Sequence, residues 1–172
     1  MERMITSRLS WFLESNNLLS PTRTGFRKWM STNQQVTLLS QSIKNALDPR
    51  CSVLAVFVGF ETAFDKVCFL SQRSCTTRFG NSVTSFKQSE TGFPQDTVIN
   101  PLLLNIFIDD MPGILTSYGL TNAALFADDF AVWCCASKEE QLNTVMNKFL
   151  ERLEAWCLEN NMTINLEKTT SQ

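Results

Sequence analysis

An acidic pair set between two apolar runs constrains this chain more than any other feature. The runs are Ala124-Leu125-Phe126-Ala127 and Phe130-Ala131-Val132-Trp133-Cys134, and Asp128-Asp129 stands between them. That pattern predicts two strands around a tight turn with both carboxylates at its tip. Adjacent carboxylates repel unless a cation, a proton or solvent intervenes. Apolar strands that fix the pair in space suit a divalent cation with hard oxygen ligands. A solvated turn is the plainer alternative, because Asp is common in turns. A second pair, Asp109-Asp110, is read as such a turn.

The rest of the chain supplies elements to pack around that hairpin. Met4 to Leu19 places Ile5, Leu9, Phe12 and Leu13 on one helical face, until Ser20-Pro21-Thr22 breaks it. Thr32 to Leu47 carries Val36, Leu39, Ile43 and Leu47 at the same spacing and stops before Asp48-Pro49. Val53 to Val58 is a continuous apolar run, the pattern of a strand buried on both faces. Ser137 and Glu140 form a capping box that opens a long helix with a core face of Leu142, Val145, Met146, Phe149, Leu153 and Trp156. The predicted class is α+β, with helices covering one face of a small antiparallel sheet.

Composition narrows the chemistry. The chain has 172 residues and no histidine, which removes Ser-His and Cys-His nucleophilic catalysis. Its six cysteines, Cys51, Cys68, Cys75, Cys134, Cys135 and Cys157, include no Cys-x-x-Cys pair, so buried free thiols are expected rather than zinc. Carboxylates and metal are the catalytic means that remain. No apolar stretch reaches the roughly 18 residues of a membrane span, and the N-terminus does not read as a signal peptide. The net charge of −2 argues against a free-standing nucleic-acid binder. Its distribution is uneven: residues 1–50 hold seven Lys/Arg against three Asp/Glu, and residues 51–172 hold eight against fourteen. A basic segment beside an acidic one suits a phosphate-contacting surface next to a cation-binding one, and scattered solvated charges account for it equally well.

Phe126-Ala127-Asp128-Asp129 resembles the aromatic-Ala-Asp-Asp box of reverse transcriptases. Thr91 through Pro112 is similar to the family's Gly-Val-Pro-Gln-Gly segment and the helix after it. Ala55 to Val67 resembles the first palm motif, Asp-x-x-x-Ala-Phe-Asp, and Thr24-Gly25-Phe26-Arg27 with Ser31-Thr32 the fingers-palm signature of the non-LTR class. Trp156 through Asn165-Leu166-Glu167-Lys168-Thr169 looks like the fourth palm motif. Five motifs in order liken the chain to arthropod-type, jockey-like non-LTR retrotransposon enzymes.

The resemblance implies a partial right-hand polymerase over residues 1–172, with a fingers-palm connecting segment (1–50), a ferredoxin-like palm (51–172) and no thumb. It implies RNA-directed DNA synthesis by two-metal phosphoryl transfer with Mg²⁺ or Mn²⁺. The implied partners are an RNA template, a DNA primer, deoxynucleotides and the remainder of a retrotransposon polyprotein. The implied location is intracellular, nuclear or cytoplasmic, with no membrane association. Asp128 and Asp129 would be metal ligands, and Lys168 would protonate the leaving group. The backbone of Phe60 would lie at the triphosphate, Phe64 under the sugar, Gln95 at the incoming nucleotide and Arg27 at phosphate or template. Core packing for Phe64, and surface positions for Arg27 and Lys168, are the plainer alternatives.

Four departures point to a decayed copy. Gly59 stands where the first catalytic Asp is expected, and neither Glu61 nor Asp65 matches its position. Asp96 replaces a glycine that lets backbone approach the substrate. The helix after the first motif is read as deleted, and fingers and thumb sequences are missing. Little or no polymerase activity is therefore expected. The alternatives are a non-catalytic nucleic-acid-binding remnant and an unstable product without function.

Overall fold

The computed structural model describes residues 1–47, 51–61, 63, 73–89, 92, 97–115 and 121–171. In chain order its elements are α1 (Glu2–Ser15), α2 (Thr32–Leu47), β1 (Ser52–Glu61), β2 (Arg73–Cys75), β3 (Arg78–Phe79), β4 (Ser82–Val83) and β5 (Lys87–Ser89). There follow α3 (Asn100–Phe107), α4 (Met111–Leu115), β6 (Thr121–Phe126), β7 (Asp129–Ala136), α5 (Glu139–Glu159) and β8 (Thr163–Ser171). Four strands form one antiparallel sheet in the order β6-β7-β1-β8. Two small pairs, β2 with β5 and β3 with β4, lie outside it.

The apolar run in β1 sits at the middle of this sheet because both of its faces have something to cover them. Val56, Val58 and Phe60 alternate onto one face and join Phe130, Val132 and Cys134 of β7. α5 covers them with Leu142, Met146, Phe149, Leu153 and Trp156, while α3, the residue that caps it and α4 add Leu104, Ile108 and Met111. Phe130 stacks on Phe149 with centroids 5.8 Å apart. Each such side chain contributes about 1.5–3 kcal/mol by leaving water, so this face dominates the stability. The opposite face carries Ala55, Phe57, Ala124, Ala131 and Trp133, with Leu39 of α2 packed against them. Helices therefore lie on both faces, where the sequence reading placed them on one.

Three local expectations change in the same way. α1 stops at Ser15 instead of running to Leu19, because Asn17 takes a left-handed φ of 51° and Leu18 N–H turns back to Leu13 O. Of its predicted core face only Leu13 is buried, while Ile5 and Phe12 stay exposed. α2 has the expected span, yet Val36 is 59% exposed and Ile43 40% exposed, and Gln35 and Ala46 are buried instead. The Gln35 amide donates to Thr22 O at 2.9 Å and turns that face inward. The capping box at Ser137 is not made: α5 is N-capped by Lys138 without a side-chain bond, and Ser137 Oγ meets Cys51 Sγ at 3.3 Å. The expected deletion after the first motif falls within 62–72, which lie outside the described residues apart from Ala63. No described helix is long and apolar enough to cross a membrane.

Candidate active site around the acidic turn

The predicted hairpin is present. Phe126 pairs with Asp129 across β6 and β7, which leaves Ala127 and Asp128 as the loop. Ala127 holds a φ of +57°, a region that costs a non-glycine residue of order 1–3 kcal/mol and persists only where its surroundings over-determine it. Asp128 is half-buried and Asp129 exposed. Desolvation and the neighbouring Asp128 charge push the Asp129 carboxyl above its ordinary range, and the Lys168 ammonium opposes them.

On the β1 side the turn faces Gly59, with Lys168 lying over it. Gly59 is the cross-strand partner of Asp129, so the two positions share one face of the sheet. A Cβ at Gly59 would lie 3.0 Å from Lys168 Cβ and 3.3 Å from its Cδ. Lys168 reaches there because β8 bulges: Phe57 pairs with Thr170 and Gly59 with Asn165, so one residue of β1 faces four of β8. Asn165 Oδ1 accepts from the backbone N–H of Glu167 at 3.0 Å and of Lys168 at 3.1 Å, which holds the bulge as a turn. Glu61, two residues on, shares the face of Gly59 by strand alternation, so the sequence reading underrated it as a neighbour. It is exposed. Beside Gly59, Asp129 and Lys168 a cavity of about 280 Å³ opens between the sheet and α2, lined also by Gln35, Phe57 and Trp133.

The remaining candidates disperse. The Phe60 side chain is 2% exposed and packs on Trp156 at 6.3 Å, so only its backbone is available to a substrate. The Arg27 guanidinium is engaged internally, donating to Glu14 Oε1 at 2.8 Å and Oε2 at 2.7 Å and to the carbonyls of Ser20 and Arg23. Donating to the Glu14 carboxylate raises the Arg27 pKa and lowers that of Glu14. Phe64, Gln95, Asp65 and Asp96 lie outside the described residues.

The other side of the turn holds what the sequence reading missed. Residues 22–25 run parallel to β6: Thr24 N–H donates to Leu125 O and Leu125 N–H to Thr22 O, each at 3.0 Å. Arg23 is fully buried there; its Nη1 donates to Asn105 Oδ1, and its Nε lies 3.7 Å from Asp109 Oδ1. Burial draws the Arg23 pKa down to about 10, against the pull of Asp109. Asn105 Nδ2 donates to Gly25 O at 2.9 Å, and Asp109 Oδ1 accepts from Ser20 N–H at 2.9 Å. Asp110 accepts from the Trp156 indole at 3.2 Å. The pair read as a solvated turn therefore consists of two anchors. Asn105, which interrupts the apolar run of α3, was the one available signal.

The donor set does not fit two divalent ions. Gly59, across the strand from Asp129, offers no side-chain ligand. Among the described residues no three His, Cys, Asp or Glu side chains gather to hold a metal.

Comparison with known proteins fits this arrangement. Residues 1–172 match the family model described as "Reverse transcriptase (RNA-dependent DNA polymerase)". "Probable RNA-directed DNA polymerase from transposon BS" of Drosophila melanogaster is 27% identical over 98% of this chain and 21% of its own length. "RNA-directed DNA polymerase from mobile element jockey" of Drosophila funebris is 24% identical over 98% of this chain and 21% of its own. The chain thus spans about a fifth of these relatives. Among solved structures, apo telomerase from Candida tropicalis superposes with a TM-score of 0.58 at 11% identity, covering 99% of this chain and 39% of that one, a likeness of fold. With the acidic hairpin built into the sheet and the family match running from end to end, this chain belongs to the reverse transcriptase family.

Proposed function

We propose that the chain is the palm and part of the fingers of a non-LTR retrotransposon reverse transcriptase, and that this copy is impaired in polymerisation. In family members the chemistry is RNA-directed nucleotidyl transfer aided by Mg²⁺ or Mn²⁺, on an RNA template and a DNA primer. The β-α-β-β-α-β order around the sheet supports a ferredoxin-like palm. Asp128 and Asp129 are its remaining metal-binding carboxylates. Lys168, above Gly59, is positioned to hold a proton near them, and the Phe60 backbone borders the same end of β1. Phe64 and Gln95 keep their nucleotide-binding assignments from the motif resemblance, as does Arg27 once released from Glu14.

The observation that carries the impairment is the register of Gly59 opposite Asp129. The expectation of a carboxylate at Gly59 comes from the motif resemblance, and a position directly across from Asp129 supports it. The test is primer extension on poly(rA)/oligo(dT) with Mg²⁺ or Mn²⁺, comparing the chain with Gly59→Asp. Extension by the variant alone would support an intact palm silenced by one substitution. Extension by the unmodified chain would overturn the reading and direct attention to Glu61.

A second reading, binding of single-stranded nucleic acid without catalysis, has one observation in its favour. Trp29 is 87% exposed with Lys28 Nζ 5.2 Å from its ring centroid, a cation beside a stacking surface. Metal-independent, salt-sensitive RNA binding that Trp29→Ala abolishes would favour it.

A further inference from the structure

Gly25 stands closer to the acidic turn than any side chain would permit. A Cβ built there would lie 2.2 Å from the backbone N of Ala127, 3.1 Å from the carbonyl carbon of Phe126 and 3.2 Å from Ala127 Cα. All three are backbone atoms, so no rotamer change relieves the clash. The contact falls on the residue whose φ is left-handed, immediately before Asp128. Behind it, Gly25 O is held by Asn105, and Arg23 is clamped between Asn105 and Asp109. Two backbone hydrogen bonds, at Thr24 and Leu125, fix the same segment to β6.

We infer that residues 22–25 form a buttress that sets the position of Asp128 and Asp129. Gly25 is the positioning residue at the point of contact, and the Arg23-Asn105-Asp109 cluster fixes its depth. The catalytic meaning of this buttress rests on the function proposed above; the mechanical claim does not. An unfavourable turn conformation requires support from outside the hairpin. The closest support on this side is a glycine backbone held by side chains of α3 and the residues just after it.

The test is amide hydrogen exchange on the full chain, comparing Gly25→Ala and Asp109→Asn with the parent. Asp109→Asn keeps an acceptor for Ser20 N–H and removes only the charge facing Arg23. Expected for Gly25→Ala is at least a tenfold loss of protection at Thr24 and Leu125, with Val132 and Phe149 unchanged; Asp109→Asn should give a smaller loss at the same amides. Unchanged protection at Thr24 and Leu125 in Gly25→Ala would overturn the inference. So would an equal loss at all four amides, which would mean global destabilisation.

Where Gly59→Asp yields measurable extension, adding Gly25→Ala should lower kcat at least tenfold with KM little changed. A change in KM alone would overturn the catalytic part. Silence of Gly59→Asp would count against the preceding proposal, while the exchange result would still decide the buttress.

Discussion

The two flanks of the acidic turn differ sharply. On the β6 side, backbone pairing, a buried arginine and a glycine in contact with the turn leave no freedom. On the β1 side there is a glycine without a ligand, a lysine on an exposed bulge and an open cavity. The first flank is a closed support, and the second is open to solvent and to the cavity. Exposed side chains on the open flank, such as Lys168 and Val36, therefore contribute less to the fold than the buried Arg23 on the other.

The comparison can be broken most forcefully through Asp109. Asp109→Ala leaves the Arg23 charge buried and unpaired, a loss of about 3 kcal/mol in urea unfolding, toward the low end for breaking a buried pair. A loss below about 1 kcal/mol would mean that Arg23 finds another partner, and the rigid flank would be rigid for a different reason.

Leu153→Ala, under the fully buried core, should cost about 2–5 kcal/mol. Val36→Ala, beside the cavity, should stay within about 0.5 kcal/mol, since Val36 is mostly exposed. Comparable losses at the two sites would remove the distinction between the closed and open faces of the sheet.

A smaller effect sharpens the picture by pH. The Glu14 pKa is held below its ordinary 4.5 by donation from Arg27. Its folded pKa lies below its unfolded one, so its contribution is present in full above about 4.5 and disappears as pH falls through the lowered value. Urea midpoints measured from pH 6 to 3 should fall less steeply in Glu14→Gln than in the parent. Parallel profiles would show that the Arg27 clamp does not persist in solution.

The smallest effect is chemical. Burial raises the Cys157 thiol to about 11 and also raises Cys134, whereas Cys75 is exposed. Among these three, mass mapping after brief iodoacetamide treatment should find Cys75 modified first. Early labelling of Cys157 would indicate that α5 opens from the sheet.

Much of this was legible in the chain. The acidic hairpin, the span of α2, the doubly buried β1 and the core face of α5 follow from residues adjacent or a few positions apart, where strand and helix periods act directly. Gly59 was legible as a departure from a motif only because a resemblance supplied the expectation of a carboxylate. Other features required the tertiary structure. Arg23 and Asn105 are 82 positions apart, and neither has a local pattern that announces its partner. Lys168 comes over Gly59 through a bulge that only the pairing of β8 with β1 creates. The inward turn of Gln35 depends on a carbonyl at Thr22.

Sequence by itself determined the span of α2, the apolar strand β1, the core face of α5 and the acidic turn between β6 and β7, because those properties arise from local sterics and short periodicity. Tertiary structure alone decided which polar residues are buried together, how tightly the turn is held and that Lys168 lies over Gly59. Those outcomes depend on desolvation and on contacts between residues far apart in the chain, which no local pattern encodes.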